Sequence, residues 1–264
     1  MWFQVDVAGA AALDALVGGK AVVRAVFERS CYLQGPGGRL VCVGATDIGH
    51  GPINALVRQF VAPSMDQCLD VSLAKARRWQ PPRQQALWTS EAIAGLTWAA
   101  RGRVPLDGLG GLIVGATSPL ILQARVALDR LAQWLAGASA RPDAQGLIGL
   151  GPGLTPSGDD YLGGLMIGLH SQGKGDKAQA LWAWLQPELA TATNLISASH
   201  LHAASQGEGH EALHACIDAV NQGQALNRVY SGLDKLGHSS GWDAWAGVVA
   251  AQVAGRAPPE PGVN

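Results

Sequence analysis

Two segments of the chain carry the same short pattern, and each precedes an apolar run. The pattern is Ser-Gly-x-Asp-x-x-x-Gly, and it begins at Ser157 and again at Ser240. Serine is a preferred residue at a helix start, an acidic residue three positions later can bond back to that start, and a later glycine lets another helix approach closely. We therefore expect two related helices that pack together with converging N-termini, where amide groups and helix dipoles suit a small anion.

A loop rich in glycine and proline leads into the first copy. Residues 149–158 contain four glycines and two prolines, which lets the backbone come close to a ligand while limiting how far the loop flexes. We therefore regard this loop and the two helix starts as one candidate substrate or anion site. Its members are Gly151, Gly153, Thr155, Ser157, Gly158, Asp160, Ser239, Ser240 and Gly241.

Two residues at this site are candidates for catalysis. Helix capping accounts for Asp160 and Asp243 but not for Asp159, whose counterpart in the second copy is Trp242. The Asp159 carboxylate is therefore expected to hold an amide N–H, a transferable proton or a magnesium ion. His238 is the histidine best placed to meet a ligand at the second helix start. The alternative is ordinary capping, because Ser-x-x-Asp before an apolar run starts many helices.

A polar stripe runs along a helix predicted over residues 191–207. Thr193, Ser197 and His200 follow the i, i+4, i+7 spacing of one helix face. In one interpretation the stripe lines a pocket, and Thr193 and Ser197 join the substrate-binding candidates. In the other, the hydroxyl groups bond to their own helix backbone.

Residues 210–214 fit the zinc motif H-E-x-x-H. The usual third ligand is missing, because Ile217 and Val220 occupy the positions where a glycine and a histidine would follow. The segment also opens a short amphipathic helix, where polar residues are expected. We interpret it as incidental and predict no metal site.

The charge balance argues against partners that need a strong electrostatic field. Lys and Arg total 19, and Asp and Glu total 20, so nucleic acid and anionic membranes are not expected partners. Charged residues make up 15% of the chain, against about 25% in ordinary globular proteins, so a partner subunit is the simplest cover for the surface. Without a signal peptide, an apolar span or CxxC spacing, the sequence favours the cytoplasm.

The residue patterns predict an α+β fold, with a small β-rich N-terminal part and a larger, mostly helical C-terminal part. We expect a β-rich region over residues 1–82, a helical domain with the glycine-rich loop over 83–256 and a disordered tail over 257–264. Residues 46–80 are predicted mostly as strand.

Local patterns add three expectations. Residues 21–45 resemble a hairpin with a turn at 35–38, which places Cys31 opposite Cys42 if the turn is symmetric. Residues 108–115 resemble a strand. Ser118 and the proline after it occupy the favoured first positions of a helix.

Most of the chain, and residues 146–250 most strongly, resembles the AllH-type family, formerly a domain of unknown function. The resemblance rests on LGPGLTPSGDDYLGG, on GHSSGWDAWAG and on the T-x-x-x-S segment at Thr193 and Ser197, and the segments FERSCYL and IGHGPIN are similar too. It implies a subunit of an oxamate carbamoyltransferase, which converts oxalurate and phosphate into oxamate and carbamoyl phosphate in allantoin breakdown. FdrA-like and AllG-type proteins would be its partners.

The resemblance also implies separate roles for the candidate residues. The glycines and serines of the two helix starts would hold the anion, and Asp159 would face the carbamoyl nitrogen. No cofactor is firmly implied, although magnesium is compatible with the site. Because three proteins share the activity, the alternative is a non-catalytic scaffold or regulatory subunit whose glycine-rich motif contacts its partners.

Overall fold

The computed structural model describes residues 2–82 and 85–254, and it confirms the predicted α+β class. Strands lie in the first part of the chain, and helices dominate the rest. The strands are β1 (Trp2–Gly9), β2 (Lys20–Val26), β3 (Ser30–Gln34), β4 (Leu40–Gly44), β5 (Asn54–Val57), β6 (Cys68–Ser72) and β7 (Arg77–Trp79). The boundary at residue 82 stays a prediction, and the predicted tail over 257–264 lies outside the described residues.

Six of these strands form a closed sheet. Their order is β5-β4-β3-β2-β6-β1, and β1 also pairs with β5, so that the first and last strands meet. β7 pairs with the end of β1. Side chains alternate between the two faces of a strand, and Val23, Leu33 and Val43 are fully buried in the core that the sheet encloses. The helix α1 (Ala10–Ala15) follows β1 directly.

The predicted hairpin exists, but its register was predicted wrongly. The turn spans residues 35–39, because the Gly35 N–H donates to the Arg39 carbonyl (3.0 Å) and Gln34 pairs with Leu40. The extra turn residue shifts the register by one, so Tyr32 and not Cys31 lies opposite Cys42. A shift of one residue exchanges the two faces of a strand. Tyr32 and Cys42 therefore share the face that is turned toward the helices.

The helical part contains nine α-helices within the described residues. They are α2 (Ser90–Ala100), α3 (Pro119–Leu135), α4 (Ser157–Ser171), α5 (Gly175–Leu185), α6 (Leu189–Ala192), α7 (Leu195–Ser205), α8 (Glu211–Asn221), α9 (Asn227–Leu233) and α10 (Ser240–Val253). Over residues 2–82 and 85–254, no helix combines the length and the apolar character needed to cross a membrane.

The structure confirms one local expectation for the helical part and contradicts two. The predicted start of α3 is confirmed, since the Ser118 hydroxyl accepts from the Ile121 N–H (3.2 Å). The strand predicted over 108–115 is wrong: Gly110–Val114 form a 3₁₀ turn. The single helix predicted over 191–207 is also wrong, because it is divided between α6 and α7. Asn194 starts α7 by accepting from two backbone N–H groups at 3.0 Å, which satisfies donors that a helix start leaves free.

The helices α4 and α10 lie side by side and parallel, as the repeated pattern predicts. A Cβ atom placed on Gly164 would lie 1.8 Å from the Ala244 carbonyl oxygen, and one placed on Gly247 would lie 2.0 Å from the Tyr161 carbonyl oxygen. These two contacts are reciprocal, because Tyr161 and Ala244 occupy equivalent positions in the two copies. Each glycine therefore admits the backbone of the other helix, and the two N-termini lie together.

Candidate functional site

A cavity of about 340 Å³ lies between the sheet and the helices. One wall is the outward face of β3, β4 and β5, where strand pairing places Tyr32, Cys42 and Asn54 in a row. The other wall comes from α4, α7 and α10. The residues that line the cavity on this side include Thr155, Asp159, Asp160, Ser197, His200, Ser240 and Gly241. Among the described residues, no lysine or arginine lines the cavity.

Asp160 has a buried carboxyl oxygen with unused hydrogen-bonding capacity in this cavity. Its Oδ2 atom is buried and has no hydrogen-bond partner among the described residues. Burial raises the pKa of Asp160 well above its usual value, and the Asp243 and Asp159 carboxylates add to this, while the Ser240 and Thr155 hydroxyls oppose it. These surroundings therefore favour the protonated form of the carboxyl, which can donate one hydrogen bond and accept others.

The equivalent residue in the second copy, Asp243, has a different environment. Its Oδ1 accepts from the Gly110 N–H (2.7 Å) and its Oδ2 from the Ser239 hydroxyl (2.8 Å), and the residue is fully buried. Asp243 therefore fixes the 3₁₀ turn to the start of α10. The sequence pattern is repeated, but only the first copy leaves a free carboxyl oxygen.

The capping roles predicted for the two copies are wrong. Ser157 and Ser240 are the first residues of their helices, and no side-chain capping bond is made at either start. The Gly158 N–H donates instead to the Leu150 carbonyl (2.9 Å), and the Gly241 N–H donates to the Leu236 carbonyl (3.1 Å). Backbone carbonyls thus take these two amide groups, which leaves fewer donors for an anion than the sequence indicated.

Asp159 is buried and its carboxylate accepts three hydrogen bonds. Oδ1 accepts from the Gly149 N–H (2.8 Å), and Oδ2 accepts from the hydroxyls of Ser197 (2.6 Å) and Thr193. These bonds tie the glycine-rich loop to the junction between α6 and α7. Since donors face both oxygens, the arrangement does not fit a magnesium ligand, and a catalytic role for Asp159 stays a prediction.

Other predicted site residues have three different environments. Thr155 and Ser240 share a hydrogen bond between their hydroxyls (2.8 Å) beside Asp160. Gly151 and Gly153 adopt φ angles of 109° and 95°, so they shape the loop. His238 is exposed at the surface and pairs with Asp107 (2.7 Å), and it does not line the cavity.

The structure also adds residues to the site. His200, the last member of the predicted polar stripe, lines the cavity, and burial together with nearby His210 lowers its pKa to about 4. It is therefore neutral at pH 7. Tyr32 lies in the opposite wall, and burial beside Cys42 raises the pKa of its hydroxyl. The correct hairpin register would have placed Tyr32 on this face, but the sequence did not define the turn.

The histidines of the H-E-x-x-H segment bind backbone groups. His210 Nδ1 accepts from the Ala212 N–H (3.2 Å), and its Nε2–H donates to the Ile48 carbonyl (3.0 Å). His214 Nε2 accepts from the Gly209 N–H (3.1 Å). In the part of the chain that the structure describes, no group of three or more His, Cys, Asp or Glu residues is arranged to hold a metal ion.

Comparison with known proteins agrees with the resemblance seen in the sequence. Residues 147–252 match the family model described as "Oxamate carbamoyltransferase subunit AllH". The match covers α4, α7 and α10, and therefore Asp160, His200 and Ser240, but not the sheet. No curated protein and no solved structure matches the chain significantly.

Proposed function

We propose that this chain is a subunit of an oxamate carbamoyltransferase and that its cavity binds the carbamoyl group of the substrate. The observation that carries the proposal is the unpartnered Oδ2 atom of Asp160, which lies in the cavity and within the segment that matches the family. A buried polar atom without a partner costs about 1–3 kcal/mol. A ligand that bonds to this atom would recover that free energy.

The chemistry of a neutral carboxyl suits a carbamoyl group. The carboxyl offers one O–H donor and one carbonyl acceptor, and a carbamoyl group offers a carbonyl acceptor and N–H donors. The two can therefore form a pair of hydrogen bonds. The hydroxyls of Thr155 and Ser240 and the neutral imidazole of His200 supply further polar groups around it.

In the proposed reaction, a phosphate oxygen attacks the carbamoyl carbon of oxalurate. The bond between this carbon and the oxamate nitrogen breaks, and the proton lost by phosphate ends on that nitrogen. The products are carbamoyl phosphate and oxamate. Asp160 donates its proton to the leaving nitrogen and regains one from phosphate, which is general acid–base catalysis.

A second candidate function is a non-catalytic subunit that positions its partners. It is favoured by Leu154 and Leu195, which are 45% and 50% exposed beside the glycine-rich loop. The Asn194 side chain bonds to the Leu154 carbonyl (2.8 Å) and holds the two leucines near one another. Exposed apolar side chains at this position would suit contact with an FdrA-like or AllG-type partner.

The test compares Asp160→Asn with Asp160→Ala in the complex of this chain with both partners. Asparagine keeps a donor and an acceptor but cannot transfer a proton, so kcat for carbamoyl phosphate formation should fall about 100-fold or more while KM for oxalurate stays near the wild-type value. Alanine should also raise KM. Asp107→Asn, at an exposed carboxyl outside the cavity, is the matched control and should leave both constants unchanged.

Protein stability separates a catalytic loss from a folding defect. Because burial raises the pKa of Asp160 and so disfavours its charged form, an uncharged asparagine adds no penalty there, and Asp160→Asn should unfold at pH 7 with a free energy no lower than that of the wild type. Unchanged activity of Asp160→Asn would contradict the proposal. If the isolated chain also failed to bind oxalurate while still joining its partners, the non-catalytic role would replace it.

A further inference from the structure

A second concave space, of about 670 Å³, lies beside the cavity. We call it the vestibule. Its walls are the 3₁₀ turn Thr46–Ile48, the first part of α8, and α9 with the turn that follows it. Ile48, His210, Leu236 and Gly237 line both the vestibule and the cavity. The two spaces are therefore neighbours, and two of the shared residues, His210 and Ile48, are joined by a hydrogen bond.

The vestibule has the positive charge that the cavity lacks. Arg228 lies at the start of α9 and Lys235 lies in the turn that follows this helix, and both line the vestibule. Both are exposed, and neither forms an ion pair with a described residue. Arg29, from the loop between β2 and β3, is a third cation that lines the vestibule.

The acidic side chains of the vestibule already have partners. Asp47 pairs with Arg29 (3.1 Å), and Glu211 pairs with His50 (2.6 Å). Asp218 accepts a hydrogen bond from Gln222 (2.7 Å). The Gln222 amide leaves the charge of Asp218 in place, but Arg228 and Lys235 form no ion pair with it or with any other described residue, so their N–H groups stay available to an anion.

The cavity has the opposite character. Its titratable groups include Asp159, Asp160 and Glu208, and no cation lines it among the described residues. A dianion placed there would meet carboxyl groups without a compensating charge, which is costly away from water. A neutral carbamoyl group meets no such penalty.

We propose that the vestibule binds a phosphate oxyanion through Arg228 and Lys235, next to the cavity that takes the carbamoyl group. The assignment of the anion as phosphate rests on the proposed function, whereas binding of an anion at this place does not. Two sources share this chemistry, free phosphate and the phosphoryl group of carbamoyl phosphate. The anion would thus meet the carbamoyl group from the vestibule side, where the two spaces share Leu236 and Gly237.

The test is titration calorimetry of the full chain with inorganic phosphate at low salt. Arg228→Gln and Lys235→Gln should each weaken phosphate binding about tenfold, which corresponds to about 1.4 kcal/mol. Lys174→Gln removes an equal charge from an exposed position outside the vestibule and should leave binding unchanged. Because all three side chains are exposed, the variants should unfold at the wild-type temperature.

Two further measurements separate this inference from the proposed function. Asp160→Asn should bind phosphate as the wild type does, even if its activity test fails. Carbamoyl phosphate that binds more tightly than phosphate would identify its phosphoryl group as the main ligand, and equal or weaker binding would identify free phosphate. The inference is overturned if the wild type binds no phosphate, if the vestibule variants bind as Lys174→Gln does, or if only Asp160→Asn loses binding.

Discussion

The close contact between α4 and α10 can be tested by adding a single methyl group. In Gly164→Ala the new Cβ would lie 1.8 Å from the Ala244 carbonyl oxygen, whereas ordinary contacts begin at 3.4 Å. The obstacle is the backbone of a helix and not the end of a flexible side chain, so the helices must move apart. Overpacking of this kind costs about 1–3 kcal/mol or more, and the better helix propensity of alanine returns up to about 1 kcal/mol. We expect a net loss of about 2 kcal/mol.

The neighbouring glycine provides a matched control. A Cβ on Gly163 would lie 3.6 Å from the Ala204 Cβ, an ordinary contact. Gly163→Ala should therefore raise the free energy of unfolding by about 0.5–1 kcal/mol through helix propensity alone. Gly247→Ala, whose Cβ would meet the Tyr161 carbonyl oxygen at 2.0 Å, should behave like Gly164→Ala.

The assay is urea unfolding of the three variants and the wild type, compared through their midpoints at a common slope. Gly164→Ala and Gly163→Ala should differ by about 3 kcal/mol and have opposite signs. If Gly164→Ala proved as stable as Gly163→Ala, the parallel helix pair would be wrong, and the placement of Asp160 beside Ser240 would fall with it.

Three more predictions concern the groups around the site. Asp159→Asn should lower the free energy of unfolding by about 3 kcal/mol, because one amide oxygen cannot replace a carboxylate that accepts three hydrogen bonds. A urea unfolding midpoint equal to that of the wild type would show that these three hydrogen bonds do not stabilise the fold. Burial lowers the pKa of His214 to about 4, so the unfolded chain takes up a proton below pH 6.5 that the folded chain excludes. Stability should thus be full above pH 6.5 and fall by about 2 kcal/mol per such histidine at pH 5. His200 and His214 both contribute to this loss of stability. In urea unfolding at pH 7.5 and 5, His214→Gln should remove about half of what the two histidines contribute together. An unchanged difference in unfolding free energy between the two pH values would refute the buried, neutral state of His214. Asn194→Ala should cost about 1 kcal/mol in the same assay through the lost start of α7, and no loss would show that its side chain does not cap this helix.

Much of the fold could be predicted because local patterns carry it. The apolar periodicity marked the helical part, Ser118 marked the start of α3, and the repeated Ser-Gly-x-Asp-x-x-x-Gly pattern indicated two closely packed helices. These features depend on residues near each other in the chain. The break between α6 and α7 was missed, because periodicity continues across the residues at which the backbone turns away.

The sequence pointed to several residues that line the cavity, but not to their hydrogen-bond partners. Asp159 and Asp160 are adjacent in the chain, and capping chemistry made Asp160 the structural residue and Asp159 the functional candidate. The structure gives Asp159 three donors, from Gly149, Thr193 and Ser197, and leaves an oxygen of Asp160 free. Local capping rules could not foresee donors that come from distant segments.

The sequence by itself therefore determined the pair of helices with close glycines and the loop that leads into them. Only the tertiary structure decided which carboxyl keeps an oxygen without a hydrogen-bond partner, and it placed Tyr32, from a strand more than a hundred residues earlier in the chain, in the opposite wall of the cavity. The physical reason is that a helix start is defined by neighbours in the chain. The protonation of a buried carboxyl and its unused hydrogen-bonding capacity depend instead on every group that folding packs around it.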